Sequence, residues 1–240
     1  MKLPVAVLAL LAFAPAGAIA RDDGARLYQT YCSSCHGARG EGTNVAPSLV
    51  GKSAADVHFM LDSGRMPAPV PGVNEIPRAP RFTYAQIDRI VGYVMTLSGP
   101  RANASLPVVY AGDVNHGGRL FAENCAQCHG ALGDGASVGT NDVAPDLAAA
   151  TVFQIAEAIR AGPGIMPRFS SRVLNDRAVD DIAYYVNYVE THADDRNGPN
   201  AGGFPLAHIG PAAEGFVAWF FGIGALVLFI RGIGTAGKDS

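Results

Sequence analysis

The chain has 240 residues, a formal net charge of −3 and a mean hydropathy of +0.17. A charge so close to balance argues against binding to nucleic acid, which needs a strongly basic surface. All four cysteines lie in two copies of one short motif, so they say more about function than the overall composition does.

The N-terminus has the three regions of a secretory signal peptide. Lys2 precedes an apolar run from Val5 to Ala14, and Ala18-Ile19-Ala20 offers a cleavage site before a charged stretch. We therefore predict a signal peptide over residues 1–20 and export of the remaining chain. The apolar run is short for a membrane-spanning helix, and retention of this segment as a second anchor stays open as an alternative.

Both cysteine motifs read C-x-x-C-H, the attachment signature of c-type haem. In this chemistry the two thiols add to the vinyl groups of the porphyrin, and the histidine that follows is the proximal iron ligand. A redox disulfide or half of a zinc site also uses C-x-x-C, but a βαβ pattern or further ligands at regular offsets would then be expected. We predict two covalently bound haems c. The attaching and ligating residues are Cys32, Cys35, His36, Cys125, Cys128 and His129.

The two motifs belong to an internal repeat. Each copy continues through a V-A-P-x-L string and a Met-Pro pair to an aliphatic and aromatic helical pattern, with a small insertion before the second V-A-P-x-L string. The repeated segments are Val45–Leu49 and Val143–Leu147, Met66-Pro67 and Met166-Pro167, and Ile87–Val94 and Val179–Val186. We predict that duplication produced two tandem domains, at 21–100 and 116–193, joined by a polar, proline-containing linker at 101–115.

The C-terminal part contains an apolar stretch from about Ile209 to Ile230 with one charge, Glu214. This is close to the ~20 residues needed to cross a bilayer. Arg231 and Lys238 follow it, which predicts a cytoplasmic C-terminus and domains on the outer (periplasmic or extracellular) face of the cytoplasmic membrane. A buried helix of a soluble protein is the alternative, but two small domains have no core large enough to cover it. The predicted segments are a linker at 194–208, a transmembrane helix at 209–231 and a tail at 232–240.

Each repeat resembles a class I cytochrome c domain, a small all-α fold that wraps a few helices around the porphyrin. In that family a methionine downstream of the attachment motif is the sixth iron ligand. The resemblance implies iron ligation by His36 with Met66 and by His129 with Met166. A thioether ligand favours the reduced iron and raises its potential, as electron transfer requires.

Two other methionines are possible ligands. Met60 lies close to Met66, but within a predicted helical stretch from Asp56 to Leu61. Met95 lies in the last predicted helix of its domain, where methionine commonly fills the core. Only Met66 and Met166 occupy matching places in the two repeats.

The resemblance also implies a role for Pro47 and Pro145, the prolines of the V-A-P-x-L strings. Their backbone carbonyls would accept a hydrogen bond from the ring N–H of His36 and His129, which fixes the tautomer and orientation of a metal-binding imidazole. An ordinary loop proline is the alternative, and the two interpretations are compatible.

The segment beside the apolar stretch narrows the family. G-G-F-P-L-A-H-I-G-P at 202–211, followed by E-G-F-V-A-W at 214–219, resembles the di-haem cytochrome c subunit of actinobacterial-type cytochrome bc complexes. The resemblance covers both domains, the linker and the anchor, and departs at the N-terminus, which in that family is often a longer hydrophobic anchor. It implies an all-α protein with two tandem class I cytochrome c domains and one C-terminal transmembrane helix.

By this resemblance the chain is an electron-transfer subunit of a quinol–cytochrome c reductase, with no bond chemistry of its own. The implied partners are the membrane, the cytochrome b and Rieske iron–sulfur subunits, and a terminal oxidase that receives the electrons. The alternatives are a membrane-anchored electron acceptor of a periplasmic dehydrogenase and a cytochrome c subunit of a cbb-type oxidase. A di-haem peroxidase would need an open iron site, against which the two Met-Pro pairs argue.

Overall fold

The computed structural model describes residues 16–70, 77–99, 103, 105–139, 142–192 and 211–236. Most of the predicted signal peptide, the whole of the second predicted linker (194–208) and the last four residues of the predicted tail lie outside this part of the chain. The described residues are mainly helical, and the two sequence repeats fold into two similar sets of four helices.

The first domain is built on helices that begin at strong capping residues. Ser53 and Thr83 each form a capping box. The cap side chain accepts a hydrogen bond from the backbone N–H of residue N3, and the N3 side chain accepts one from the backbone N–H of the cap. The last helix packs against the first and the third, around a core centred on the fully buried Tyr28, Ile87 and Ile90. The helices are α1 (Ala16–Tyr31), α2 (Ser33–His36), α3 (Ala54–Asp62) and α4 (Tyr84–Ser98).

The second domain repeats this plan. Asp113 caps its first helix by accepting two backbone N–H groups, and Thr151 forms the third capping box. The first and last helices pack together around Phe121 and Ile182. The helices are α5 (Val114–Asn124), α6 (Ala126–His129), α7 (Val152–Ala161) and α8 (Asp176–His192). The helix α5 takes in the last two residues of the predicted linker at 101–115.

Within the described residues, a two-stranded antiparallel ribbon is the one addition to the predicted all-α class, which is otherwise confirmed. The strands β1 (Ala136–Ser137) and β2 (Val143–Ala144) pair with Ala136 opposite Ala144. They lie in the segment where the second repeat carries its insertion. The four helices of the second domain keep the order of those in the first domain on either side of this ribbon.

In both domains the first and last helices approach each other closely at a glycine. A Cβ on Gly24 of α1 would overlap the carbonyl oxygen of Arg89 in α4, and a Cβ on Gly117 of α5 would overlap the carbonyl oxygen of Asp181 in α8. The two glycines occupy the same position of the repeat. The close packing of the first and last helices in each domain therefore requires glycine where the two helices cross.

The two domains contact each other through corresponding helices, because α3 packs against α7. Polar side chains connect the two sides: His58 Nδ1 lies 3.1 Å from Glu157 Oε2, and Gln154 Nε2 donates to Asp62 Oδ2 at 2.8 Å. At the edge of this interface Arg168 forms an ion pair with Asp56 at 2.6 Å. The domains are therefore held in one relative position by specific contacts.

The helix α9 (Pro211–Ala236) follows the second domain. Its segment Gly215–Ile233 is long and apolar enough to cross a membrane, and none of it is buried against the described residues. Large side chains along it, such as Trp219 and Phe229, are exposed. This agrees with the predicted transmembrane helix, because a core helix of a soluble protein would be mostly covered.

The close crossing of α1 and α4 can be tested with two glycine-to-alanine substitutions, one at the crossing and one away from it. We expect Gly24→Ala to lower the free energy of unfolding by about 1–3 kcal/mol, because the new methyl group forces α1 away from α4. Gly92 lies within α4, and a methyl group there would meet no packed neighbour within 4 Å. Gly92→Ala is therefore expected to be neutral or to stabilise by up to about 1 kcal/mol, through helix propensity alone. Denaturant unfolding of the haem-loaded protein followed by circular dichroism measures both; equal effects would contradict a close crossing at Gly24.

Candidate haem sites

The two attachment motifs form the same helical turn. Cys32 follows α1, and the N–H groups of Cys35 and His36 donate to its carbonyl at 3.1 and 2.9 Å. The turn around Cys125 in the second domain has the same two hydrogen bonds, at 3.0 and 2.9 Å. Residues three apart on a helical turn lie on one face, so each pair of thiols faces the same side. All four thiols are free of disulfide bonds.

The imidazole that follows each thiol pair is held by a proline carbonyl. His36 Nδ1 lies 2.8 Å from the carbonyl oxygen of Pro47, and His129 Nδ1 lies 3.1 Å from that of Pro145. A carbonyl can only accept, so Nδ1 carries the proton in each ring and Nε2 keeps its lone pair. The arrangement leaves Nε2 ready to bind a metal, and the outer hydrogen bond fixes the direction of that lone pair.

A tight loop returns the chain from each histidine to its proline. Gly42 donates to the carbonyl of His36, and Gly135 donates to that of His129, both at 2.8 Å. Both glycines have positive φ, +85° and +79°. A Cβ on Gly42 would lie 2.6 Å from the backbone nitrogen of Ser48, and one on Gly135 would lie 2.7 Å from a backbone oxygen. The loop thus requires glycine for both conformation and space.

The methionines predicted as ligands lie at the edges of the domain cores. Met66 is partly buried against the same core cluster as Cys32, and Met166 against the cluster that contains Cys125. Met66 is placed by a turn after α3, in which its N–H donates to the carbonyl of Met60 at 2.8 Å. Each domain therefore brings a thiol and the matching thioether to one core, and iron ligation by the methionines remains a prediction.

Burial raises the pKa of the Cys32 and Cys125 thiols to about 11, and the neighbouring cysteine of each motif adds to the shift. Both thiols are therefore neutral at physiological pH. A thioether to a porphyrin vinyl group is also neutral and suits the same apolar surroundings. Thiols, anchored imidazole and thioether together form a donor set that fits haem c.

Tyr28 is a contributor that the sequence did not reveal. Its side chain is fully buried, and its hydroxyl donates to the carbonyl of Gly37, the residue after His36, at 2.7 Å. Burial raises the pKa of Tyr28 to about 12, so the hydroxyl keeps its proton at physiological pH. Phe121 occupies the same position in the second repeat and lacks a hydroxyl. In the sequence, only the alignment of Leu27-Tyr28 with Leu120-Phe121 indicates that an aromatic side chain is needed at this position.

The comparisons with known proteins agree with this chemistry. Residues 20–94 and 112–186 each match the family model described as cytochrome c oxidase, cbb3-type, subunit III. The cytochrome bc1 complex cytochrome c subunit of Mycobacterium tuberculosis is 39% identical over 221 residues, covering 88% of this chain and 76% of that protein. The same subunit of Mycobacterium leprae is 36% identical over 231 residues, covering 90% and 78%. The cbb3-type cytochrome c oxidase subunit CcoP of Azospirillum sp. is 31% identical, covering 74% and 63%.

The chain belongs to the family of cytochrome c subunits of cytochrome bc1 complexes. The predicted fold class is thereby confirmed: two tandem cytochrome c domains, mainly helical, are followed by one candidate transmembrane helix. Cytochrome c domains carry covalently bound haem c, and the matched residues include both C-x-x-C-H motifs.

The Tyr28 hydrogen bond is tested by removing one oxygen atom. We expect Tyr28→Phe to fold and bind haem, since phenylalanine fills this position in the second domain, but to lose about 0.5–1.5 kcal/mol of stability. Tyr84 is 74% exposed, so Tyr84→Phe serves as a control that should be unchanged. Thermal unfolding followed at the Soret band compares the two variants. If Tyr28→Phe matched the native stability, the hydroxyl would have no part in holding the attachment loop.

Proposed function

We propose that this member of the cytochrome bc1 complex cytochrome c subunits relays electrons from a Rieske iron–sulfur protein to a terminal oxidase. The relay uses two haems c, one ligated by His36 and Met66 and the other by His129 and Met166. The observation that carries the proposal is the duplicated attachment turn with its proline-anchored imidazole. Each haem would supply a one-electron Fe(III)/Fe(II) couple when bound.

The protein's own residues hold the redox groups rather than react with substrates. Cys32 and Cys35, with their counterparts in the second domain, tether the porphyrin, and the anchored histidine provides a nitrogen ligand of fixed direction. Met66 and Met166 would be the thioether ligands of the two irons and would favour the reduced state. We therefore expect electron transfer without bond chemistry, as one part of a quinol–cytochrome c oxidoreductase.

The contact between α3 and α7 supports a relay in series. The buried pair of His58 and Glu157, the hydrogen bond from Gln154 to Asp62 and the packing around them hold the domains in one arrangement. A fixed arrangement keeps the distance between the two sites constant. Electron transfer between the domains then needs no diffusion or domain motion.

The helix α9 supports a placement of the chain in the membrane. We propose that this helix anchors the chain, with the haem domains on the outer face and the C-terminus in the cytoplasm, because Arg231 and Lys238 follow the apolar segment. Anchoring beside the cytochrome b and Rieske subunits raises the effective concentration of the domains at their partners. The same proposal includes removal of residues 1–20 on export.

A second candidate function is a cytochrome c subunit of a cbb3-type oxidase, because the family model and one group of relatives carry that description. The relatives of the bc1 type are more similar and are covered over a larger share of their length. Purification in mild detergent separates the two functions. Co-isolation of a cytochrome b and a Rieske protein supports the bc1 assignment, whereas an oxidase catalytic subunit isolated with the chain in their place supports the alternative.

Methionine ligation is tested by exchanging the ligand. We expect Met66→His or Met166→His to lower the potential of that haem by on the order of 0.1 V or more, because a nitrogen donor favours ferric iron and axial ligands span roughly 0.8 V. Each variant should also slow quinol-driven oxygen consumption in isolated membranes. Met60→Leu and Met95→Leu are the controls and should keep both potentials. Unchanged potentials in Met66→His would show that this methionine does not bind iron.

Removal of the C-terminal helix tests the anchor. We expect a chain that ends before Glu214 to be exported as a soluble cytochrome with two haems, because each domain has its own core and needs nothing from α9. Haem content by pyridine haemochrome and cell fractionation are the measurements. Retention of the shortened chain in the membrane after high-salt washing would show that α9 is not the sole anchor. Replacing residues 1–20 by a leader that is known to be cleaved would then test whether the N-terminal segment is the second anchor.

A further inference from the structure

Three ionisable side chains come together inside the contact between the two domains. His58 and Asp62 lie one turn apart on α3, and Glu157 approaches them from α7. All three are buried, with exposed fractions of 5%, 6% and 0%. One ligand-capable atom from each lies within 4.8 Å of the others. Such a group is unusual in a protein interior, where charges are normally paired or bound to a metal.

The hydrogen bonds inside this cluster leave one carboxylate oxygen without a donor. Glu157 Oε2 accepts from His58 Nδ1 at 3.1 Å. Glu157 Oε1 lies 2.8 Å from the same nitrogen, within ion-pair distance, but accepts no hydrogen bond from any described residue. A buried carboxylate oxygen without a partner costs about 1–3 kcal/mol or more. One carboxylate oxygen of the cluster is therefore left without a hydrogen-bond donor among the described residues.

The charges of the cluster are unbalanced as well. A protonated His58 offsets one of the two carboxylates, Asp62 and Glu157, and leaves the other. The three side chains thus supply one base and two acids within reach of one another.

From this geometry we infer that His58, Asp62 and Glu157 form a binding site for a divalent transition-metal ion, Zn²⁺ in preference to Mg²⁺ or Ca²⁺, between the two domains. One imidazole nitrogen with carboxylate oxygens suits zinc, whereas the two harder ions prefer oxygen ligands alone. A doubly charged ion beside a neutral imidazole balances both carboxylates. Binding replaces the proton on His58 Nδ1 by the metal ion, and the proton leaves to solvent.

The distances allow this exchange with small side-chain movements. Zinc binds nitrogen and oxygen at about 2.0–2.2 Å in tetrahedral geometry, which places neighbouring ligand atoms about 3.4 Å apart. The distance between His58 Nδ1 and Glu157 Oε1, 2.8 Å, would have to increase slightly. The distances from Asp62 to the other two ligands, at most 4.8 Å, would have to decrease. Bidentate binding by a carboxylate or one water molecule would complete the coordination.

Gln154 orients one of the proposed ligands. Its Nε2 donates to Asp62 Oδ2 at 2.8 Å, while its Oε1 accepts the backbone N–H of Thr151 at 3.1 Å as part of the capping box of α7. The position of the Asp62 carboxylate is thus tied to the first turn of the helix that carries Glu157. Hydrogen bonds of this kind to a ligating carboxylate commonly change metal affinity by 10–100-fold.

A metal ion at this place would stabilise the contact between the domains. Its ligands come from both domains, so only the docked arrangement offers all of them, and binding shifts the equilibrium toward that arrangement by mass action. The inference does not depend on the electron-transfer partners proposed above.

Zinc titration of the haem-loaded, full-length protein in detergent, after treatment with a chelator, tests the site. We expect isothermal calorimetry to find one tight zinc site per chain, at least tenfold weaker in both His58→Gln and Glu157→Gln. His116→Gln is the matched control, because His116 also contacts a carboxylate, Asp181 at 2.7 Å, but at a partly exposed place outside the interface. It should bind zinc with native affinity.

Zinc-edge X-ray absorption of the native protein gives a result that does not depend on how the variants fold. We expect one imidazole nitrogen and two or three oxygen neighbours, without sulfur. The inference is overturned if the native protein binds no zinc tightly, if His58→Gln and Glu157→Gln both keep native affinity, or if the spectrum shows thiolate ligands. A loss of binding in His116→Gln alone would place the zinc at the surface and would equally overturn it.

Discussion

In each domain the orientation of one imidazole depends on a hydrogen bond from its Nδ1 to the carbonyl of a proline eleven or sixteen residues further along the chain. Much of the surrounding structure serves to bring these two groups together. The glycines at 42 and 135 allow the loop to return, and the cores on which α1 and α5 rest keep the attachment turn in place. An imidazole without this hydrogen bond could rotate or exchange its tautomer, and its metal affinity would fall.

The sequence predicted the parts of the structure that depend on local pattern. The attachment turns, the helices and the apolar C-terminal segment follow from short motifs and from residue periodicity, and duplication made each motif more informative. The packing of α3 on α7 was not predicted, because His58 and Glu157 are 99 residues apart and neither belongs to a repeated motif. The close helix crossings at Gly24 and Gly117 were also missed, although the aligned glycines were visible in the repeat.

The two domains differ where their environments differ. The buried hydroxyl of Tyr28 supports the attachment loop of the first domain, while Phe121 leaves that hydrogen bond unmade in the second. The second domain carries the ribbon of β1 and β2 close to its attachment turn. Two sites built on one plan therefore have unequal surroundings. Hydrogen bonding and solvent access near an iron centre affect its potential, so unequal surroundings favour unequal potentials for the two proposed haems.

The capping boxes of α3 and α7 align the two helices, so that His58 corresponds to Ala156 and Glu157 corresponds to Phe59. If two copies of the first domain met through the same surface, an imidazole would face a phenyl ring on each side. Two copies of the second domain would bury two carboxylates against alanine, at a cost of several kcal/mol for each charge. Only the unlike pair neutralises the acid with a base. The residues at these two positions therefore favour the contact of a first domain with a second domain over the contact of two like domains.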